Sequence, residues 1–136
     1  MAIKITVNVP IRKLSESMRF WGAVGFTFNA QFTNETTTCM VVSTDIYVML
    51  LEDADFRGFT NRAIADPKTS IETIIALELD AREDVDAMMT KVLANGGSEY
   101  AEARDMGFMY QRSFIDIDGH QWDPYWMDPA YVHAEL

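Results

Sequence analysis

The sequence predicts an α+β fold made of two β-α-β-β-β units in tandem. Three observations predict it. The order strand, helix, strand, strand, strand runs once from about Ile3 to Glu52 and again from about Glu72 to Met127. Periodicity lapses between these runs, from Asp53 to Ser70, where Gly58 and Asp66-Pro67 fall. Asp118-Gly119, flanked by aromatic and branched residues, marks a tight hairpin that closes the second run. The expected organisation is a single domain: module one over about 1–52, a linker over 53–70, module two over 71–128 and a tail over 129–136.

Each element has its own signal. Ile3, Ile5, Val7 and Val9 alternate with Lys4, Thr6 and Asn8, giving a strand with one polar face that Pro10 is expected to end. Leu14, Met18, Trp21 and Val24 recur at helical spacing, and Gly25 suits the left-handed residue after a helix. Trp21 is therefore expected to be buried. Phe26, Phe28, Ala30 and Phe32 alternate with polar residues as a second strand. Thr36 to Ser43 and Ile46 to Glu52 supply two more around a Thr44-Asp45 turn.

The stretch from Asp53 to Ser70 is longer than an ordinary loop and reads as a crossover between units. Its Phe56 and Phe59 look exposed. In the second run, Ile75, Leu77 and Leu79 alternate with Ile74, Ala76 and Glu78 as a strand. Asp80-x-x-Glu83 reads as a capping box for a helix carrying Val85, Met88, Met89, Val92 and Leu93, which Asn95-Gly96-Gly97 stops. Ser98 to Ala103 reads as a short edge strand, and Phe108–Ile115 and His120–Met127 close the unit. A lone unit would expose one sheet face, so pairing two leaves a cleft.

Composition excludes several classes. The 136 residues are 49% hydrophobic and 12% aromatic, as a globular chain requires. A net charge of −10 argues against nucleic acid and anionic membrane, whose binding needs Lys and Arg. Cys39 is the only cysteine, so no internal disulfide forms, and its apolar neighbours make it a core residue. Neither a signal segment nor a membrane span is evident, and a soluble cytoplasmic protein is the expectation.

The strand, the Asp116-Ile117-Asp118-Gly119 turn and the carboxylate Asp123 resemble the closing hairpin of the vicinal oxygen chelate superfamily. Leu14 and Ser17 followed by Phe20-Trp21 and Gly25-Phe26 resemble its first helix and exit. The resemblance covers nearly the whole chain, and the nearest branch is the glyoxalase/bleomycin-resistance-like proteins. It implies a curved, cavity-lined mixed sheet, a small-molecule ligand and a homodimer that completes the cavity. It also implies metal ligands on the first strand of each unit and on the last. Those positions hold Thr6, Ile74 and Asp123, and Glu52 is the one ionisable residue of the fourth strand.

That donor set is poor. A transition-metal site wants three or four His, Cys or carboxylate groups, and this chain has only His120 and His133. His120 and Asp123 fall on opposite sides of a regular strand. Asp116 and Asp118 lack the ligand series of a calcium-binding EF-hand. The expectation is no cofactor and no catalytic metal. Neither a Ser-His-Asp set nor a Gly-rich phosphate loop is present.

Asp123 has two readings: a cavity carboxylate that meets a cationic ligand, or one satisfied by Asn8, Thr6 or a nearby Arg. Pro124 after it is expected to bring a bulge or a break in pairing. Trp122 and Trp126 share a face and read as core. Tyr110, Arg112 and Tyr125 combine a flat surface with a polar tip and read as ligand contacts, although Arg112 reads equally as a partner of Asp116 or Asp118. The candidate ligand set is thus Thr6, Asn8, Tyr110, Arg112, Asp123 and Tyr125. The functional expectation is a metal-free small-molecule binder. The alternatives are a metal-dependent glyoxalase-like lyase or isomerase and, from another fold, a ferredoxin-like dimeric barrel.

Overall fold

The computed structural model describes residues 1–131, so His133 lies outside the described residues. The chain divides into two compact units, Met1–Asp66 and one that begins at Pro67. Both are β-α-β-β-β, which removes the dimeric-barrel alternative.

In the first unit β1 (Ile5–Ile11), α1 (Leu14–Val24), β2 (Thr27–Asn29), β3 (Thr37–Val41) and β4 (Ile46–Glu52) precede a short helix α2 (Asp53–Arg57). The sheet runs β1-β4-β3-β2, with β1 parallel to β4 and the other pairs antiparallel. The apolar stripe of α1 is buried: Leu14, Phe20, Trp21 and Val24, together with Val9, Ile11, Met40, Val48 and Leu50 of the sheet. Trp21 meets Phe20 and Phe26 edge-on, at ring-centroid distances of 5.0 and 5.5 Å.

Two boundaries in this unit depart from expectation. Pro10 does not end β1, which continues to Ile11 opposite Glu52. Because β1 is an edge strand of this sheet, a residue without an amide hydrogen is tolerated there. The second strand stops early, at Asn29. The Asn29 side chain accepts from the Gln31 amide at 3.0 Å and turns Ala30–Phe32 into a 3-10 helix.

The second unit repeats the plan with β5 (Ile75–Glu78), α3 (Arg82–Ala94), β6 (Ser98–Asp105), β7 (Met109–Ile115) and β8 (Gln121–Met127). Its sheet runs β5-β8-β7-β6, again with the first and last strands parallel. Val85, Met89 and Val92 of α3 are buried, as are Phe114 and Trp122 of the sheet. The expected capping box does not form: Ala81 is the cap residue, and no side chain caps α3. Pro124 does bring the expected break in pairing, without a bulge, opposite Arg112 and Ser113, which pair with no residue of β8. The β7–β8 ladder holds one register on both sides of a gap at Arg112 and Ser113.

In the first unit α2 follows β4, and its Asp55 carboxylate accepts from the Thr37 hydroxyl at 2.8 Å. Phe59 beyond it is 80% exposed, whereas Phe56 is half-buried, against the expectation that both rings are exposed. No helix among the described residues is long and apolar enough to cross a membrane.

Candidate functional site

The closing hairpin decides which side chains share a face. Asp116 N–H donates to the His120 carbonyl at 2.9 Å, and Gly119 N–H donates to the Asp116 carbonyl at 3.1 Å. The loop is therefore Ile117-Asp118-Gly119, with Gly119 at φ 94°. A two-residue Asp118-Gly119 turn would have shifted the ladder by one position, and a shift of one moves every side chain to the other face. Added side-chain bulk at Gly119 would also meet Pro67 at 2.9 Å.

The Asp116 carboxylate organises this loop from inside. It accepts from the Asp118 amide at 2.8 Å, the His120 amide at 3.0 Å and the Trp122 indole N–H at 2.9 Å. Burial pushes its carboxyl pKa up, against the opposing pull of His120 and these donors. Asp116 thus holds the turn and the first core residue of β8.

With the register set, β7 and β8 each show two faces. Tyr110 and Arg112 point toward α3. The Tyr110 hydroxyl donates to Asp86 at 2.7 Å, and Arg112 pairs with Asp86 and with Glu99, both at 2.8 Å. Arg82 lies over the Tyr110 ring at 4.3 Å and pairs with Asp105. These contacts hold the Asp86 and Asp105 carboxyls below their ordinary range, through hydrogen bonds from Tyr110 and Arg112 and from Arg82 respectively. Tyr110 and Arg112, expected as ligand contacts, are thus engaged by α3 and β6, and Arg112 pairs with neither Asp116 nor Asp118. They fasten the helix to its sheet.

Asp123 lies on the other face, between buried Trp122 and Pro124 on its own strand. It is 8% exposed. Gln111 Nε2 donates to one carboxylate oxygen at 2.8 Å and Gln121 Nε2 to the other at 3.2 Å. Its partners are thus two neutral amides, and no arginine is among them. Tyr125 shares this face, and its hydroxyl donates to Glu78 at 3.4 Å. Burial and the neighbouring Glu78 charge raise the Tyr125 pKa. Sequence reasoning does not single out Gln111, Gln121 or Glu78. A signal for Gln121 is nonetheless present, since it stands two residues before Asp123 on the same strand face.

Thr6 and Asn8 are exposed residues of β1, on the face away from Val7 and Val9 and beside Tyr47 and Met49 of β4. Glu52, at the end of β4, serves a nearby helix. Its Oε2 accepts from the Leu14 amide at 2.9 Å, capping α1 from another strand. Ile74, 51% exposed, precedes β5 and offers no donor atom. Among the described residues, no three His, Cys, Asp or Glu side chains gather where a metal ion could be held. The residues at the positions that the resemblance implies for metal ligands, Thr6, Ile74 and Asp123, do not make a donor set that fits a catalytic divalent ion.

No protein-family model and no curated protein matches the sequence. Solved structures do match the fold. A hypothetical protein from S. aureus is 24% identical with a TM-score of 0.78, the match covering 92% of this chain and 94% of that one. A glyoxalase-related enzyme from Fulvimarina pelagi is 19% identical with a TM-score of 0.76, over 99% and 93% of the two chains. A glyoxalase/bleomycin resistance protein/dioxygenase family enzyme from Burkholderia phytofirmans PsJN is 14% identical with a TM-score of 0.75, over 93% and 99%. At these identities the likeness is one of architecture: the chain has the fold of the glyoxalase/bleomycin resistance/dioxygenase proteins.

Proposed function

We propose that this chain is a small-molecule-binding protein of the glyoxalase/bleomycin-resistance type, working without a catalytic metal. One observation carries the reading. Asp123, the one carboxylate among the positions the resemblance gives to metal ligands, accepts from two glutamine amides, and Glu52 on β4 accepts from the first amide of α1. Thr6 brings only a neutral hydroxyl and Ile74 nothing, so an ion's desolvation would go uncompensated. Asp123 and Tyr125 in the second unit, and Thr6 and Asn8 in the first, remain the ligand contacts of this reading.

The test is a thermal-shift series with Zn²⁺, Ni²⁺, Mn²⁺ and Mg²⁺, alongside elemental analysis of protein purified without added ions. The expected result is an unchanged melting temperature and no stoichiometric metal. A saturable rise with one ion, abolished by Asp123→Ala, would restore the metal-dependent lyase or isomerase. The reading includes a homodimer, supported by the exposed ring of Phe59, since apolar surface of this kind favours interfaces. A monomer by light scattering at micromolar concentration removes that part. A cytoplasmic setting fits a chain with one cysteine and a charge of −10.

A further inference from the structure

We propose that the Asp123 face of the second unit recognises a cationic nitrogen, a protonated amine or amidine carried on a flat apolar body. This rests on the metal-free reading and adds the chemical class of its ligand. The argument begins with charge. Asp123 is 8% exposed, and no Lys, Arg or His among the described residues forms an ion pair with it. Neutral donors alone leave a buried carboxylate's charge uncompensated, and a cation would offset that cost.

Hydrogen-bond polarity points the same way. Gln111 and Gln121 both turn their NH₂ groups to Asp123, so their Oε1 atoms are left as acceptors. Tyr125 turns its hydroxyl hydrogen to Glu78, adding a further oxygen and a carboxylate that also accept. Across the sheet Glu78, Tyr125 and Gln111 are register neighbours, with Asp123 two residues before Tyr125 on the same strand face. The one cation in that row, Arg104, follows Gln111 on the outer strand β6, two strands from Asp123. Acceptors therefore stand on three neighbouring strands of the face that carries Asp123. A metal ion asks for geometry and more ionised donors, whereas an ammonium or amidinium asks for several oxygen acceptors and gains from an aromatic face such as Tyr125.

Benzamidine, benzyl alcohol and benzoate, titrated against the full chain by thermal shift and calorimetry, separate cation, neutral and anion on one ring. Benzamidine is expected to raise the melting temperature saturably, with Asp123→Asn weakening its binding about ten- to a hundredfold. Gln121→Lys would supply an internal ammonium on the same strand face. It is expected to abolish benzamidine binding while the melting temperature is kept, which covers the case in which Asp123→Asn does not fold. No saturable response to benzamidine, or undiminished affinity in either folded variant, overturns the proposal. Tighter Asp123-dependent binding of benzyl alcohol or benzoate also overturns it, while leaving metal-free ligand binding standing. Asp123-dependent stabilisation by a divalent ion overturns both.

Discussion

The first unit joins helix to sheet through Phe20, Trp21, Met40, Val48 and Leu50, all buried, and through one carboxylate cap from Glu52. The second has the same strand order, but fewer apolar residues are buried under α3, and the helix is tied down by ions and rings: Asp86 with Tyr110 and Arg112, and Arg82 with Asp105. The faces away from the helices differ as well. Thr6, Asn8, Tyr47 and Met49 make the first neutral, whereas Asp123, Glu78 and two glutamines give the second its acceptors. One backbone plan thus carries two chemistries. Strand order follows from the pattern of apolar residues, while binding chemistry follows from what occupies the remaining positions.

Substitutions can break this contrast at graded cost. Trp21→Ala should have the largest effect, about 3–5 kcal/mol in chemical denaturation, because the ring is buried among apolar neighbours. A loss below about 1 kcal/mol would show that the first unit does not depend on this ring. Trp122→Phe probes the polar counterpart, keeping most of the ring but removing the donor to Asp116. The expected cost is about 1–3 kcal/mol, that of leaving a buried acceptor short of one partner. A neutral result would show that the loop's two amides suffice for Asp116.

Glu52→Ala removes the cross-strand cap of α1 and should cost about 1 kcal/mol, measured as a shift in urea midpoint. Arg112→Ala is expected to cost less than about 1 kcal/mol, since its partners Asp86 and Glu99 are 56% and 38% exposed in their side chains. The acid response sharpens the same point. Asp86 and Asp105 have depressed pKa values when folded. Their contribution is therefore present above the ordinary carboxylate range and lost as pH falls through the folded values. Urea midpoints taken down the acid range should fall less steeply in Asp86→Asn than in the wild type. Parallel curves would remove Asp86 from the account.

Most of the fold is legible in the sequence because both units alternate clearly where strands form and repeat at helical spacing in α1 and α3. Binding residues are harder. Tyr110 and Arg112 have the chemistry of ligand contacts, but their face depends on hairpin register, and one extra loop residue reverses it. The strong Asp118-Gly119 signal marks the turn correctly and says nothing of its length. Glu52 misleads for a different reason: its partner, the Leu14 amide, is remote in sequence and carries no side-chain signature. Asp80-x-x-Glu83 has the composition of a cap without forming one, since the helix begins after Ala81.

The parallel pairing of each unit's first and last strands has a kinetic consequence. Ile5 meets Ile46, and Ile75 meets Trp122, so each pair encloses the helix and both antiparallel hairpin strands of its unit. The hairpins close short loops and can form early, whereas the parallel ladder must wait until nearly the whole unit has been gathered. Edge strands β1 and β5 are therefore expected to dock last on refolding and to exchange their amide hydrogens first, an order that hydrogen exchange would check. The cap that Glu52 places on α1 arrives with that final step, so helix start and sheet edge lock together.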